Sequence, residues 1–336
     1  MIRAWAAKDA AGTFELAEYD PGELKPDDVE IAVESCGLCH SDLSLYEDEW
    51  GVTKFPFVGG HEVIGRVSKV GGAVTTLKPG DRVGVGWFSR SCLTCDPCMG
   101  GDHNMCRSVE QIAVGRYGGF AEAVRVQASW ANKLPDDLEP KDAGPLFCGG
   151  ITVFNPLVQF DVRPTDRVGV IGIGGLGHLA LQFLNAWGCE VTAFTSTGAK
   201  AEEAKTLGAH RVVDSRDEDA LKAEAGRFDF ILSTVAVNLN WSLYLNALGP
   251  RGRLHTVGVP PKPLAAHAAQ LLTNQRSVSG SPLGSPATIR RMLDFCARHA
   301  IRPQVERLPM SKIGEAFQRL KDGSPRYRIV LDNDFG

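Results

Sequence analysis

The chain has 336 residues, of which 43% are hydrophobic and 23% charged, a composition typical of a globular protein of about two domains. Its net charge of −4 leaves no excess of positive charge for phosphate backbones, which argues against a nucleic acid partner. The nine cysteines are odd in number and far too few for a disulfide scaffold, so they need another explanation.

The N-terminal stretch lacks the apolar core and the cleavage site of a signal peptide. The longest apolar stretch, 168–183, is interrupted by five glycines and a histidine, so no membrane span is expected. We therefore expect a cytoplasmic protein without a membrane partner. In that reducing compartment, closely spaced cysteines bind metal or do chemistry more often than they form disulfides.

The first part of the chain, up to about residue 148, is rich in glycine, proline and short β-branched runs. Alternation with period two predicts strands at 28–34 and 82–86, and 63–67 and 121–126 are also strand-like. Turn signals separate these runs. The pattern indicates a mostly antiparallel, barrel-like unit.

After residue 150, short apolar strands alternate with helix patterns, which indicates a parallel sheet covered by helices on both faces. The predicted strands are 167–171, 190–195, 211–213, 228–232 and 253–257. The predicted helices are 176–187, 200–207 and 239–248. A final helix at 287–300 and a closing strand at 327–331 follow, and the charged stretch 214–219 is predicted to be a solvated loop.

Four cysteines lie within 15 residues: Cys92, Cys95, Cys98 and Cys106. Tetrahedral zinc takes four thiolates, and a closed shell of four leaves no position for a substrate. The spacing therefore predicts a structural zinc site, with an iron–sulfur cluster as the alternative. A nucleic-acid-binding zinc ribbon would need two distant cysteine pairs and basic flanks, and this segment has neither.

Three further segments offer ligands for a second metal site: Cys36-Gly-Leu-Cys39-His40-Ser41-Asp42, Gly60-His61-Glu62, and Cys148. Each is unspecific alone, because a polar turn or a small buried thiol would explain it. Together they provide two thiolates and one imidazole, and three protein ligands with an open position form a catalytic zinc site. The open position would take an alcohol or carbonyl oxygen. Asp42 is the candidate to hold the other ring nitrogen of the ligating histidine.

The segment Gly172-Ile-Gly174-Gly175-Leu176-Gly177 matches G-x-G-x-x-G. It follows a predicted strand and opens a predicted helix, which is the context that makes this pattern indicate dinucleotide binding. The glycines let the backbone approach a pyrophosphate, and the helix N-terminus favours its negative charge. A tight glycine turn without a ligand is the alternative.

The end of the next strand decides which dinucleotide is bound. No carboxylate stands there to hold the ribose 2′-hydroxyl of NAD. Instead Thr195, Ser196, Thr197 and Lys200 offer three hydroxyls and an ammonium group to a 2′-phosphate. We therefore predict NADP(H) rather than NAD(H), the alternative for Lys200 being an exposed lysine at a helix start.

The order of these motifs resembles the zinc-dependent medium-chain alcohol dehydrogenases over nearly the whole chain. Segments 194–197, 292–296 and 327–332 resemble the NADP-dependent cinnamyl alcohol dehydrogenase branch and its bacterial aldehyde-reductase relatives. The resemblance implies an α/β protein with a GroES-like β-barrel catalytic domain and a Rossmann domain with a doubly wound parallel sheet. The implied domains are the catalytic domain at 1–148 with its zinc lobe at about 90–107, the NADP-binding domain at 149–284, and the C-terminal return to the catalytic domain at 285–336.

The resemblance also implies roles for single residues. Catalytic zinc would be held by Cys39, His61 and Cys148, with Glu62 as a candidate exchanging ligand. Ser41 matches the hydroxyl that binds the substrate oxygen and starts a proton relay. Further residues matched to cofactor contacts are His40, Thr152, Val257 and Arg328.

Two departures from the family pattern concern the substrate side. Many members carry histidine three residues after Ser41, where this chain has Ser44, so proton release would run through water or another group. The stretch from Cys106 to Gly118 is shorter than in the branch, so the size of the pocket is not carried over. Candidates to line the pocket, with ordinary packing as their alternative, are Ser44, Tyr46, Trp50, Trp87 and Phe88.

The sequence thus predicts a zinc-dependent oxidoreductase that transfers hydride between NADP(H) and a primary alcohol or aldehyde, with two zinc ions per chain and a broad range of aromatic or aliphatic aldehydes. A polyol or secondary-alcohol dehydrogenase of the same family is the alternative enzyme. A non-catalytic zinc- and nucleotide-binding redox sensor is the alternative of another class. The expected partners are a small-molecule alcohol or aldehyde and a second copy, paired as a homodimer through an exposed strand at 276–282.

Overall fold

The computed structural model describes residues 1–196 and 199–336. The described chain falls into two units: unit 1 is Met1–Ile151 with Leu283–Gly336, and unit 2 is Thr152–Pro282. The domain boundaries predicted at 148/149 and 284/285 stay a prediction. In the two described ranges, no helix is long and apolar enough to cross a membrane.

Both units contain β-strands. In chain order they are β1 (Ile2–Ala7), β2 (Phe14–Tyr19), β3 (Asp28–Leu38), β4 (Glu62–Val70), β5 (Arg82–Val85), β6 (Phe88–Arg90), β7 (Glu110–Gln111), β8 (Ala123–Gln127), β9 (Asn132–Lys133), β10 (Arg167–Ile171), β11 (Glu190–Thr195), β12 (Arg211–Asp214), β13 (Phe228–Ser233), β14 (Leu248–Thr256), β15 (Ser277–Gly280), β16 (Val305–Pro309) and β17 (Arg328–Asp332).

The helices connect these strands. They are α1 (His40–Tyr46), α2 (Asp96–Met99), α3 (Gly149–Gln159), α4 (Gly177–Trp187), α5 (Ala199–Thr206), α6 (Glu218–Ala223), α7 (Trp241–Ala247), α8 (Ala268–Leu272), α9 (Pro286–His299) and α10 (Ile313–Lys321). Short 3-10 turns are His103–Met105, Ala128–Trp130, Pro140–Asp142, Gly144–Phe147 and Met310–Lys312.

Unit 1 is built on a seven-stranded sheet in the order β16-β17-β3-β4-β5-β9, with β8 also paired to β3. Its pairs are antiparallel except β16 with β17. Apolar side chains of these strands form one core, because alternate residues of each strand face the same side. Gly37 on β3 pairs with Glu62 on β4, so the end of β3 and the start of β4 lie side by side. The segments that follow β3 and precede β4 therefore meet at one end of the sheet.

Unit 2 holds a six-stranded sheet in the order β12-β11-β10-β13-β14-β15, with every neighbouring pair parallel. The strand order reverses between β10 and β13, and ligands of such sheets bind beyond the carboxyl ends of the strands at that point. The glycine-rich segment 172–177 follows β10 there. The predicted α/β fold class, with an antiparallel β unit and a doubly wound parallel sheet, is confirmed.

The structure differs from the sequence predictions in several places. The helix predicted to be the final one, 287–300, is α9, and β16 and α10 follow it before β17. Within the predicted loop 214–219, α6 begins at Glu218, because Asp217 Oδ1 accepts hydrogen bonds from the backbone N–H groups of Asp219 and Ala220 and so caps a helix. Helix α3 was not predicted, since Pro156 in its interior is atypical of helices. The predicted strand at 276–282 is β15, the last strand in the sheet order.

Candidate active site and metal centres

Cys39, His61, Glu62 and Cys148 come together in unit 1, although Cys39 and Cys148 are 109 positions apart. Their ligand atoms lie within 4.8 Å of one another, and all four side chains are buried. Cys39 Sγ is 3.7 Å from Cys148 Sγ, which is 3.3 Å from His61 Nε2. The three predicted ligands of a catalytic zinc are therefore neighbours in the fold.

These distances suit a metal ion. Two sulfurs at about 2.3 Å from a tetrahedral zinc lie about 3.8 Å apart, close to the spacing of the Cys39 and Cys148 sulfurs. In addition, Glu62 Oε2 is buried and has no hydrogen-bond partner among the described residues. A buried carboxylate oxygen without a partner is costly, and a cation would satisfy it. The donor set and its geometry thus fit zinc.

Cys39 is positioned by the start of α1. Strand β3 ends at Leu38, and Cys39 then takes an extended conformation as the N-cap residue of the helix. The hydrogen bond from Cys148 lowers the pKa of the Cys39 thiol well below its usual range, against the opposing effect of burial, and the charge of Arg328 adds to the lowering. A thiol that ionises readily is what a metal ligand requires.

A glycine in a left-handed conformation precedes His61, and a junction between a 3-10 turn and a helix carries Cys148. Gly60, just before His61, has a φ of +93°, and a Cβ atom at that position would lie 2.8 Å from Cys36 Sγ. Only glycine fits there. Cys148 lies between the 3-10 turn Gly144–Phe147 and the first residue of α3. Cys36 fills the space beside Gly60.

The Asp42 carboxylate joins the ligand segments. It accepts hydrogen bonds from Nδ1 of His61 at 3.0 Å, from the N–H of Gly60 at 2.8 Å and from the N–H of Cys39 at 3.0 Å. With Nδ1 engaged, Nε2 of His61 is left to face the thiols. Burial alone would lower the pKa of His61, but the charge and hydrogen bond of Asp42 raise it well above its usual value.

Arg328 has a partner that the sequence did not predict. Its buried guanidinium forms an ion pair with Oε1 of Glu62, 266 positions away. Burial raises the pKa of Glu62, and the charge of Arg328 opposes that rise. The available signal was a charged residue opening the apolar strand β17, which calls for a buried counter-charge. The predicted contact of Arg328 with cofactor phosphates stays a prediction.

Glu62 also depends on a glycine beside it. A Cβ atom on Gly37 would lie 2.0 Å from Oε2 of Glu62, so this carboxylate occupies the space that any other side chain on β3 would need. No role was predicted for Gly37. The signal for a close approach was a glycine inside an otherwise strand-like run.

The serines near the metal cluster differ in position. Ser41 lies in the first turn of α1, and its Oγ is 3.9 Å from Cys39 Sγ. Ser44 is buried on the same helix, whereas His40 is exposed at its start. Of the three, Ser41 is therefore the residue whose side chain is shown next to a ligand atom.

Two tryptophans lie beside the cluster. The Trp87 ring meets the His61 ring edge-on, with centroids 4.8 Å apart and planes at 87°. Trp50 packs on Trp87 with centroids 6.2 Å apart and is 47% exposed. An aromatic surface thus extends from His61 towards solvent, and the prediction that both tryptophans line the pocket stays a prediction.

Tyr46 takes a different position from the predicted one. Its ring packs on Phe14 and Phe317, with centroids 5.0 and 4.9 Å away, and its hydroxyl donates to the carbonyl of Gly12. This corrects the prediction that Tyr46 lines the pocket, because the interior of unit 1 already occupies both its ring and its hydroxyl.

Phe88 is a second correction. It is 6% exposed and packs on Trp130 with ring centroids 5.3 Å apart. The Phe88 ring is thus occupied by packing inside unit 1, which corrects the prediction that it lines the pocket.

The four cysteines of the predicted structural site also come together. Their sulfur atoms lie within 4.8 Å of one another, and Cys92 Sγ is 4.0 Å from Cys98 Sγ. The N–H of Cys95 donates to Cys92 Sγ, and the N–H of Cys92 donates to Cys106 Sγ. Hydrogen bonds from the backbone at Thr94 and Cys95 lower the pKa of Cys92 to about 5. Four neighbouring thiols, two of which accept hydrogen bonds from backbone N–H groups, fit a closed zinc site.

The glycine-rich segment of unit 2 forms a tight turn. Gly172 has a φ of +86°, and a Cβ atom on Gly177 would lie 1.9 Å from the carbonyl oxygen of Gly172. A Cβ atom on Gly174 would meet nothing within 4 Å. Thr234 Oγ1 donates to the carbonyls of Ile171 and Gly172 and so fixes the turn. The open backbone of this turn, ahead of α4, fits the pyrophosphate of a dinucleotide.

Lys200 contacts this turn. Its Nζ donates to the carbonyl of Ile173 at 3.3 Å, so the ammonium group lies against the glycine-rich segment. Thr195 is buried at the end of β11 and Ser196 is exposed. Thr197 lies outside the described residues.

The remaining predicted cofactor contacts in unit 2 are Thr152 and Val257. Thr152 is on α3 and is 9% exposed. Val257 follows β14, and its N–H donates to the carbonyl of Ser233 at 2.9 Å. Val257 thus stands at a carboxyl end of the sheet.

Two family models match this chain, one in its first part and one in its second. Residues 25–136 match the family described as alcohol dehydrogenase GroES-like domain, and residues 175–298 match the family described as zinc-binding dehydrogenase. The chain is 51% identical to aldehyde reductase AdhA of Synechocystis sp. over 333 residues, covering 99% of each chain.

Two solved structures are similar over almost their whole length. The cinnamyl alcohol dehydrogenase SbCAD4 from Sorghum bicolor is 36% identical, with a TM-score of 0.94 and coverage of 98% of this chain and 97% of that one. The CAD of Helicobacter pylori, solved in complex with NADP(H), is 29% identical, with a TM-score of 0.90 and the same coverage.

Proposed function

The chain belongs to the zinc-dependent medium-chain alcohol dehydrogenase family, and from that membership we propose that it is an NADP(H)-dependent aldehyde reductase of broad range. One observation carries the proposal: Cys39, His61 and Cys148 converge in a buried cluster whose spacing suits zinc. The aldehyde reductase of Synechocystis supports the direction, and the NADP(H) complex of the Helicobacter pylori protein supports the cofactor.

Zinc bound at this cluster supplies a Lewis acid that polarises a carbonyl or lowers the pKa of an alcohol, and NADP(H) supplies or accepts the hydride. The protein contributes position and electrostatics. Cys39, Cys148 and His61 would hold the ion, with Glu62 as a candidate exchanging ligand. Asp42 fixes the direction of the His61 ring.

Ser41 is proposed to handle the proton. Its hydroxyl lies next to Cys39 and would give a proton to the substrate oxygen as hydride reaches the carbonyl carbon. The buried Ser44 has no ionisable group for the next transfer, so the proton that restores Ser41 would come from water or another group. Trp50 and Trp87 would bind the apolar body of the substrate.

Unit 2 is proposed to bind the dinucleotide. Gly172, Gly174, Gly175, Leu176 and Gly177 would cradle the pyrophosphate at the start of α4. Thr195, Ser196, Thr197 and Lys200 would hold the 2′-phosphate of NADP, since no carboxylate opposes it there. The further proposed contacts are His40, Thr152, Val257 and Arg328.

We also propose the cellular compartment and the oligomeric state of the protein. The enzyme acts as a cytoplasmic homodimer on small molecules, without nucleic acid or membrane partners. Its nine free cysteines support a reducing compartment, because thiolate ligands must stay unoxidised. The terminal strand β15 supports pairing with a second copy, because an edge strand can extend a sheet across a two-fold axis.

A single panel tests the function. The purified protein is assayed with NADPH and NADH against aromatic aldehydes, aliphatic aldehydes, sugars and ketones, before and after removal of zinc with a chelator. We expect NADPH-dependent reduction of aldehydes that is lost with the metal and returns with added zinc. A preference for sugars or ketones would identify a polyol or secondary-alcohol dehydrogenase instead, and a preference for NADH would overturn the cofactor assignment.

A further inference from the structure

The segment 106–118 is hydrogen-bonded to the backbone that carries Trp87. The N–H of Ile112 donates to the carbonyl of Trp87 at 2.7 Å, and Gln111 on β7 pairs with Phe88 on β6. The backbone that carries Trp87 is therefore covered by this segment. Since the Trp87 ring rests on His61, any shift of the segment would move an aromatic ring beside the metal cluster.

The segment does not hold this conformation by itself. Ala113 is buried with a φ of +64°, in the left-handed region that disfavours any residue with a Cβ atom. Such a conformation persists where the surroundings impose it, and it is common beside functional sites. A side chain of the same segment that can fix it by several hydrogen bonds is Arg116, which follows Gly115 at a φ of +70°.

The Arg116 guanidinium ties three strands together. Nη1 donates to Ser89 Oγ on β6 at 2.9 Å and to Glu110 on β7 at 3.3 Å, and Nη2 donates to the carbonyl of Arg125 on β8. Ser89 is fully buried, and its Oγ donates in turn to the carbonyl of Glu110. The Arg116 side chain is only 27% exposed, and burial lowers its pKa against the charge of Glu110. A planar guanidinium with several partners fixes geometry better than a lysine could.

We propose that Arg116 is a positioning residue for Trp87 and that it thereby favours aldehydes with a flat aromatic body over short aliphatic ones, which rests on the proposed reduction of aldehydes. A ring held rigidly beside the metal cluster binds a flat substrate without losing freedom on binding. A short aliphatic aldehyde has no aromatic ring to pack on Trp87, so its affinity does not depend on how rigidly that ring is held.

The first test compares Arg116→Met with the matched control Arg107→Met, an exposed arginine in the same segment. Steady-state kinetics are measured with benzaldehyde and with propanal. In Arg116→Met the KM for benzaldehyde rises about five-fold, the size of one lost aromatic contact, while kcat and the KM for propanal change less than about two-fold. Arg107→Met leaves all four values unchanged. Equal changes for the two aldehydes, or none, overturn the proposal.

Ser89→Ala gives a second variant that removes one partner of the guanidinium and leaves the arginine in place. It shifts the benzaldehyde KM in the same direction but less, and combining it with Arg116→Met adds nothing, because both act through one contact. Full additivity contradicts the shared role. If Arg116→Met fails to fold, Ser89→Ala decides the question by the same comparison.

A readout without turnover separates this inference from the proposed function. The six tryptophans are labelled with 5-fluorotryptophan, and the Trp87 signal is assigned in the ¹⁹F NMR spectrum by its loss in Trp87→Phe. In Arg116→Met the Trp87 signal shifts or broadens while the signal of Trp241, which lies in unit 2, stays. An unchanged Trp87 signal in a folded variant overturns the role of Arg116 even if aldehydes are reduced. If the wild type reduces no aldehyde, the proposed function is wrong, and the proposed preference for aromatic aldehydes is wrong with it. The NMR result still decides whether Arg116 positions Trp87.

Discussion

Asp42 Oδ1 lies 3.0 Å from Nδ1 of His61, and both side chains are fully buried. The same carboxylate accepts the backbone N–H groups of Cys39 and Gly60. One side chain thus orients the imidazole and also holds the two chain segments that deliver a thiol and the imidazole to the cluster. The geometry of the cluster depends on Asp42 as much as on the ligands themselves.

Replacing Asp42 should therefore weaken one metal site only. Asp42→Asn keeps the shape but removes the charge and one acceptor, and we expect the affinity of the catalytic site for zinc to fall about 10- to 100-fold. Metal analysis after dialysis against a weak chelator should show the loss of one of two ions, the four-cysteine ion remaining. Asp294→Asn, on the exposed face of α9, is the matched control and should keep both. Full retention in Asp42→Asn would contradict the role of this carboxylate.

The four-cysteine site should contribute to stability rather than to chemistry. Cys98→Ser removes a buried ligand, and we expect one zinc ion to be lost. A cost on the order of 3 kcal/mol would lower the melting temperature by roughly 6–12 °C. Cys189→Ser, a buried thiol of unit 2, should keep both ions. If Cys98→Ser melts at the wild-type temperature with its zinc lost, the site has no structural role.

Lys200 should discriminate between the two dinucleotides. Lys200→Ala removes an ammonium group that lies on the glycine-rich turn, and we expect NADPH to bind about ten-fold more weakly while NADH binding is nearly unchanged. Quenching of protein fluorescence measures both affinities. Lys205→Ala on the same helix, where the lysine pairs with the exposed Glu202, is the control and should alter neither. Equal weakening for both dinucleotides would refute a contact to the 2′-phosphate.

Most of the correct predictions came from the spacing of residues that are close together in the sequence. Four cysteines within a short loop and glycines between a strand and a helix report on neighbours in sequence, and the fold class follows from alternating strand and helix periods. The structure brings those groups together as the patterns require. Asp42 could be predicted as a partner of the histidine because a ligating imidazole needs one.

Contacts over long sequence separation were not predictable in this way. The pairing of Arg328 with Glu62 depends on β17 lying beside β3, which no local pattern encodes. Tyr46 and Phe88 were misplaced because nearness to ligand segments along the chain says nothing about which face a side chain takes. A capping aspartate, Asp217, turned a charged loop into the start of a helix.

His255 makes stability depend on pH. It is fully buried in unit 2, with its ring nitrogens 2.9 and 3.0 Å from the hydroxyls of Ser279 and Ser281. Burial, aided by the charge of Arg253, lowers the pKa of His255 to about 4 from 6.5. Between those values the unfolded chain binds a proton that the folded chain does not. The free energy of unfolding is therefore unaffected above about pH 6.5 and falls towards pH 4, by at most about 3 kcal/mol.

Thermal melting of the wild type and of His255→Gln at a series of pH values checks this. Other groups titrate in both proteins, so the difference between the two curves isolates His255. We expect the wild type to lose more of its melting temperature than the variant between about pH 7 and pH 4. Parallel curves would show that His255 accepts its proton in the folded state.

The central claim, that Cys39 belongs to a metal site at which aldehydes are reduced with NADPH, is tested most directly by assaying Cys39→Ser. With the same aldehyde and saturating NADPH, turnover should fall on the order of 1,000-fold, because the site loses its ion and with it the polarisation of the carbonyl. The variant should still bind NADPH and retain the zinc of the four-cysteine site. Turnover close to the wild-type rate in Cys39→Ser would contradict the account.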